Sequence, residues 1–373
     1  MSARRLVAAL VAGGAAAAVA LAALAGAPTP ARASPAAAAS TASILSSFNP
    51  ADIISDAVMY NSSTMTVAQI QSFLDAQQPT CSAGYSCLRT YRSNTQTMGA
   101  NLMCSTYTGA SSETAATIIF KVAKACRINP QVILVTLQKE QGLITGVNLN
   151  WYPNAYRSAT GLGCPDTAPC DSSKYGFFNQ VYGLGYWMVR YTTPPGTGGP
   201  GWTSFSWFPV GKQSAILYNP DASCGSKAVT IANKATASLY YYTPYVPNAA
   251  ALAAGYGTGN SCSAYGNRNF YLYFTQWFGS THLSVTGAIS TYWTTHGGAS
   301  GALGSPTANA VTSTANGGGS RQTFQHGTVF TSKAGTFTLK GALLTEYDRR
   351  GGVGGSLQWP VAEQTTVTAN GGG

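Results

Sequence analysis

The stretch Arg127-Ile128-Asn129-Pro130-Gln131-Val132-Ile133-Leu134-Val135-Thr136-Leu137-Gln138-Lys139-Glu140-Gln141-Gly142-Leu143 decides how the chain is read. Its pattern predicts a buried helix with a carboxylate at its end. Asn129 suits the N-cap, where a side-chain oxygen accepts a free backbone N–H. Pro130 follows at the first helical position, where a missing N–H costs nothing. Gly142 suits the left-handed turn that ends a helix. Ile133, Leu137 and Glu140 stand at i, i+4 and i+7 and share one apolar face. Burying a carboxylate disfavours its charged form, and a protonated Glu in a cleft is what a general acid in glycoside cleavage requires. The spacing alone also fits a Glu at a helix rim that reaches water.

The stretch resembles the first catalytic motif of the lysozyme-like lytic transglycosylases. In that family a polar-Pro step opens a hydrophobic helix ending in Glu-Ser-Gly-Phe. Here Asn129-Pro130 opens it and Glu140-Gln141-Gly142-Leu143 closes it without a gap. The resemblance implies that Glu140 is the catalytic acid, with Gln141 where the family has a sugar-contacting Ser. Upstream, Ser111 or Ser112 is expected to start a helix, with Glu113 near its positive end. Ile118, Ile119, Val122 and Cys126 give that helix an apolar side. It meets the Glu140 helix at Arg127 with almost no loop, a corner that also precedes the catalytic acid in the family.

Beyond Gly146 the chain turns aromatic. Trp151, Tyr152, Tyr156, Tyr175, Phe177, Phe178, Tyr182, Tyr186 and Trp187 crowd a stretch rich in Gly, Asn and Ser. Such rings beside amides suit sugars, and they equally suit a loop-rich core. Gly176-Phe177-Phe178-Asn179-Gln180 resembles the family's Gly-Leu-Met-Gln with one extra residue, which implies that Gln180 contacts substrate; Tyr175, from the aromatic stretch, is a further candidate contact. The family's later Tyr-Asn motif is matched by Tyr218-Asn219, or by a tyrosine within Leu239-Tyr240-Tyr241-Tyr242-Thr243-Pro244-Tyr245.

Acids are scarce. Between residues 110 and 280 they are Glu113, Glu140, Asp166, Asp171 and Asp221. A two-carboxylate hydrolase needs a second acid near Glu140, and Asp166 and Asp171 are the candidates; as loop residues both also have a plain solvated reading. The lytic transglycosylases need one acid only, because the substrate's own hydroxyl attacks. His282, His296 and His326 all lie after this region, which disfavours Ser-His-Asp or Cys-His chemistry. No metal or cofactor is implied.

The composition sets the context. Charged residues make up only 9% of 373, while Gly and Tyr are frequent, which excludes a highly charged disordered chain. Residues 1–33 read as a secretory signal: Arg4 and Arg5, an apolar run from Leu6 to Ala27, then Ala31-Arg32-Ala33. An uncleaved membrane anchor is the competing reading. Loss of Arg4, Arg5 and Arg32 with the leader lowers the formal charge from +10 to +7. That excess suits an anionic wall, and no basic cluster points to nucleic acid. Once the signal is removed, no membrane association is expected. The Ala- and Gly-rich usage suggests a high-GC bacterium, an actinobacterium above all. Eight Cys in an exported chain read as four disulfides. Short-range pairing gives Cys81–Cys87, Cys164–Cys170, Cys104–Cys126 and Cys224–Cys262, a connectivity that spacing suggests but does not establish.

Residues 34–46 read as a flexible Ala/Ser/Pro-rich linker. Residues 47–280 then form the main domain, of which 47–108 is a possible subdomain. Within it, Thr66 and Gln69 form a capping box, with Met65 and Ile70 as the staple. From 284 to 373 the sequence repeats with a 54-residue period. Gly287-Ala288-Ile289 returns as Gly341-Ala342-Leu343, Gly297-Gly298 as Gly351-Gly352, and Leu303-Gly304-Ser305-Pro306 as Leu357-Gln358-Trp359-Pro360. Asn316 to Gly319 returns as Asn370 to Gly373, and Tyr292 falls near the register of Tyr347. With Phe324-x-x-Gly327, the pattern resembles the LGFP repeat of actinobacterial surface proteins, which implies a wall-associated or glycan-binding module. The second copy stops before its own Phe-x-x-Gly, so a longer chain or a frayed repeat is expected.

The expectation is an α-rich (α+β) lysozyme-like domain stapled by disulfides, followed by a small β-rich LGFP module. The expected protein is secreted, wall-associated and cleaves peptidoglycan with Glu140. Gln180, Tyr218, Gln141 and Tyr175 would contact substrate, and Asp166 or Asp171 would be the second acid. The rival expectation is a glycan-binding, adhesin-like protein that does not cut.

Overall fold

The helix Pro130–Gln141 is buried almost all round, because every residue from Pro130 to Gln138 except Gln131 is inside. Burying a Val, Leu or Ile contributes roughly 1.5–3 kcal/mol, so packing rather than helix propensity holds this element. The helices Ala115–Cys126, Phe177–Arg190 and Gly266–Phe278 pack around it. Its ends follow the sequence. Asn129 Oδ1 accepts the Gln131 N–H at 2.9 Å, and Gly142 closes the helix at φ 64°. Asn129 does more than cap. Its Nδ2 donates to the Val58 carbonyl and its backbone N–H to that of Met59, tying the helix to an early segment of the chain.

This computed structural model describes residues 40–147, 154–166, 168–298 and 301–365. Among them are twelve α-helices, two two-stranded antiparallel sheets and one four-stranded antiparallel sheet. The expected secretory signal lies outside the described residues, as do Trp151 and Tyr152. One apolar core runs from Ile44 to Phe274. Ile53, Ile54, Met59, Ile70, Leu74 and Leu88 belong to it, so residues 47–108 share the main core instead of building one of their own. The capping box at Thr66 and Gln69 is present, starting the helix Val67–Gln77. All four expected disulfides are closed.

Three local expectations need correction. The linker is not flexible to residue 46: Thr41–Leu45 is a helix capped by Ser40, and Ile44 and Leu45 enter the main core. Apolar side chains with a surface to cover override the linker composition. The next helix starts at Ala115, not at Ser111 or Ser112, because the Thr114 side chain accepts the Thr117 N–H. Glu113 is therefore not a helix-end charge. It lies in the strand Glu113–Thr114, buried, and accepts from Tyr107 Oη at 2.6 Å, from Lys121 and from Thr95.

The C-terminal part has two small cores of its own. The strands Val311–Ser313, Gly319–Phe324, Gly327–Ser332 and Gly335–Leu339 form the sheet. Phe324 pairs with Gly327 across a two-residue turn. Ile289, Leu303, Phe324 and Val329 make one core, while Phe330, Leu339, Tyr347 and Trp359 make the other. The helices Gly287–Thr295 and Gly341–Arg349 stand 54 residues apart at both ends, so the module is mixed rather than simply β-rich. The true partner of Tyr347 is Trp293, not Tyr292. Trp293 Nε1 donates to the Gly304 carbonyl at 2.9 Å, and Tyr347 Oη donates to the Gln358 carbonyl at 2.5 Å, the same bond one period later. The matching of Asn316–Gly319 with Asn370–Gly373 falls partly outside the described residues.

Candidate functional site

Glu140, in the last turn of the buried helix, lines a cavity of about 840 Å³. The cavity is lined by the loop Thr160–Asp166 and by Tyr241–Tyr245 with Tyr191. Asn219, Tyr265 and Asn269 also line it. The Cys164–Cys170 bridge closes the Asp166 loop, and Cys224–Cys262 joins the segments that carry Asn219 and Tyr265. Cross-links of this kind limit how far cavity walls can open.

The carboxylate is not in the apolar cradle expected from the helix pattern. Lys139, on the same helix turn, bonds Glu140 Oε1 and also donates to Thr243 Oγ1 at 3.1 Å. The Lys139 side chain is only 2% exposed and stands 5.3 Å from the centre of the Tyr242 ring, while Glu140 is 26% exposed. A buried ammonium needs a partner of opposite charge, and Glu140 is that partner. The second oxygen faces Gly161. A Cβ at Gly161 would stand 3.0 Å from Oε2, and φ there is +72°, so glycine allows the loop to approach this closely. Tyr242 Oη donates to the Thr160 carbonyl. Burial, and then the Glu140 charge, push its phenol well above the usual value, so it stays a neutral donor.

Gln180 is fully buried and does not line the cavity. Its Oε1 accepts from the Thr160 and Leu162 N–H groups and from Thr160 Oγ1, at 3.0–3.1 Å. Its Nε2 donates to the Leu162 and Lys174 carbonyls, both at 2.9 Å. With its hydrogen bonds used in this way, Gln180 shapes the loop that faces Glu140 and has no reach to a substrate. That corrects its expected role.

Asp166 does share the cavity, and its Oδ2 accepts from Tyr245 Oη at 2.9 Å. Burial, and then this carboxylate, raise the Tyr245 phenol to about 12. Asp171 lies outside the lining; it caps the turn Ser172–Lys174 through the Ser173 N–H. Tyr218 is half-buried on the core, and only its neighbour Asn219 lines the cavity. Gln141 reaches Ser158 Oγ at 3.4 Å, and Tyr175 lies under the Arg157 guanidinium; neither lines the cavity. Sequence reading gave no role to Lys139, Gly161 or Asn269. The signal for Lys139 was present: a cation beside an acid at the end of a buried helix must be paired.

Two neighbouring residues hold the lining segments Thr243–Tyr245 and Asn269. Asn267 Nδ2 donates to the Thr243 and Tyr245 carbonyls at 2.9 and 3.0 Å. Arg268 is fully buried; its guanidinium donates to the Ala251 and Gly257 carbonyls and twice to Asn269 Oδ1. A guanidinium only donates, so the Asn269 oxygen must face it and the Asn269 NH₂ is left for another acceptor. The cavity therefore offers amide donors, phenols, one ion-paired carboxylate and Asp166. Among the described residues no cluster of three His, Cys, Asp or Glu side chains could hold a metal ion.

A second surface of interest is the duplicated module, whose equivalent helices and carbonyl bonds make the 54-residue period structural. Residues 303–355 match the LGFP repeat family. The LGFP match spans the sheet, the helix Gly341–Arg349 and the Leu303-Gly304-Ser305-Pro306 signature. No curated protein sequence matches the chain. The four disulfides and the LGFP repeat are consistent with an extracellular protein, and no helix among the described residues is long and apolar enough to cross a membrane.

Proposed function

We propose that this protein is a secreted, lysozyme-like enzyme that cleaves the β-1,4 bond between the amino sugars of peptidoglycan, held at the wall by its LGFP repeats. The observation that carries the reading is the position of Glu140, on the wall of a cavity of about 840 Å³ rich in phenols and amides. Oε2 is the oxygen not taken by Lys139, so it is the one to exchange a proton with the glycosidic oxygen. Asn269 would donate to a sugar hydroxyl or acetamido carbonyl, while the Tyr242 hydroxyl keeps its one proton on the Thr160 carbonyl and holds the loop that faces Glu140. In the transglycosylase form Glu140 acts alone. In the inverting hydrolase form Asp166, in the same cavity, would hold the water.

One observation favours a second reading. The Lys139 ammonium already compensates the Glu140 carboxylate, an arrangement that also suits a protein that binds glycan without cutting it. The test is digestion of peptidoglycan by the mature protein and by Glu140→Gln, with products read by mass spectrometry. Anhydro-muropeptides from the first alone would establish a lytic transglycosylase. Reducing-end products from the first alone would establish a hydrolase. If neither releases fragments but both pellet with walls, the binding reading replaces the enzymatic one.

A further inference from the structure

Tyr191 and Tyr241 line the cavity, yet their rings do not end there. They stack on each other with centroids 5.6 Å apart, and Phe205 packs against both, at 5.4 and 5.6 Å. Trp207 continues the series at 5.9 Å from Phe205 and 6.4 Å from Tyr241, and Trp187 flanks it at 5.5 Å from Tyr191. Trp207 is 71% exposed, the most open large aromatic ring among the described residues. Phe205, Tyr191 and Tyr241 are half-buried behind it, so one open indole caps a series of partly covered rings, and an apolar ring left so exposed beside a cavity marks a place where something binds.

The patch differs from its neighbour Trp202, which is spent on structure. Arg190 lies 4.0 Å over the Trp202 ring, and a Cβ at Gly198 would collide with it. The Trp207 ring has no such cover. No carboxylate belongs to the patch, and its cation, Arg190, is turned to Trp202, Phe205 and the Thr203 carbonyl. The surface is therefore aromatic and free of carboxylates, its rings are tilted against one another by 48–57° from Tyr241 through Phe205 to Trp207, and it continues from the cavity wall. A sugar ring presents a C–H face that an aromatic face accepts, and a polymer leaving the cavity on this side has to cross these rings.

We infer that Phe205 and Trp207 form an extension of the glycan cleft, a platform on which a β-1,4-linked amino-sugar chain continues beyond the cavity. The inference rests on the glycan reading of the Glu140 cavity and adds that the ligand is a long chain rather than a short oligomer. Binding to three- and eight-residue oligomers of β-1,4-linked N-acetylglucosamine tests it by calorimetry, on the full chain carrying Glu140→Gln to prevent cutting. Adding Trp207→Ala or Phe205→Ala is expected to weaken the octamer about tenfold and to leave the trimer within about twofold, with Trp207→Tyr restoring the octamer. Equal loss for both oligomers, or no loss for either, overturns the platform and leaves the cavity reading standing. Absence of binding by either oligomer to the parent overturns the cavity reading and the platform with it. A parent that dimerises and becomes monomeric with Trp207→Ala gives the patch to a second copy of the chain and overturns the inference.

Discussion

Buried Glu113 and partly exposed Glu140 are each paired with a lysine, and the two pairs do different work. Glu140 and Lys139 share a helix turn at a cavity wall. Glu113 and Lys121 belong to the fabric of the fold. Burial alone would push the Glu113 carboxyl up, but the combined hydrogen bonds from Lys121, Thr95 and Tyr107 outweigh it and hold the group below the usual range. A depressed folded value contributes stability above the unfolded value of about 4.3 and loses it as pH falls through the folded value. Glu113→Gln is therefore expected to lower stability at pH 7 by about 2–3 kcal/mol, because Lys121 loses its charged partner. The deficit against the parent should shrink by pH 3. Thermal melts of both proteins at the two pH values check this, and a deficit unchanged by acid would show that Glu113 acts through packing alone.

At the scale of elements, the helix Pro130–Gln141 was legible from end to end, since caps and an apolar run are local signals. The capping box at Thr66 and Gln69 was legible for the same reason. What was not legible depends on contacts between distant residues. The resemblance of Gly176–Gln180 to Gly-Leu-Met-Gln makes Gln180 a candidate substrate contact, but its partners lie 18 and 20 residues away in the Thr160–Leu162 loop. The sequence leaves the tyrosine open between Tyr218 and Leu239–Tyr245, with Tyr218 the named candidate, because which phenol faces Glu140 depends on the tertiary packing of the helix Lys234–Tyr242.

The LGFP repeat shows how such contacts also decide which sequence changes are tolerated. Gly304 at φ +70° and Gln358 at φ +57° occupy the same left-handed position in the two copies. A Cβ at Gly304 would stand 2.2 Å from Gln325 Oε1, whose place is fixed by the Ser305 N–H. Gly304→Ala is therefore expected to destabilise the module by about 1–3 kcal/mol, combining left-handed strain with overpacking. Gln358→Gly should lie between neutral and about 1 kcal/mol stabilising, since it relieves the strain but adds unfolded-state entropy. Chemical denaturation of both variants ranks them, and equal losses would mean that the hairpin contact at Gln325 is not what selects glycine.

Across the molecule, the division of apolar cores suggests a division of labour. The cavity belongs to the core running from Ile44 to Phe274, and the LGFP match belongs to the two small cores beyond Ser284. The Ser55 N–H donates to the Thr281 carbonyl at 3.1 Å, so the chain is fastened to the main core just before the repeats begin. Four disulfides, all between Cys81 and Cys262, brace the first part, and none lies in the repeats. Removing residues 284–373 should therefore leave the melting of the main core nearly intact, because separated sites behave additively. Affinity for soluble amino-sugar oligomers should stay within about twofold by the same reasoning. The fraction of protein that pellets with cell walls should fall severalfold, since two linked binding surfaces hold a polymer more tightly than one. Co-sedimentation with purified walls, alongside oligomer titration, measures both quantities on one preparation. A truncated chain that pellets as the full chain does would remove the anchoring role from the repeats, whereas loss of oligomer binding as well would mean that the cavity depends on them.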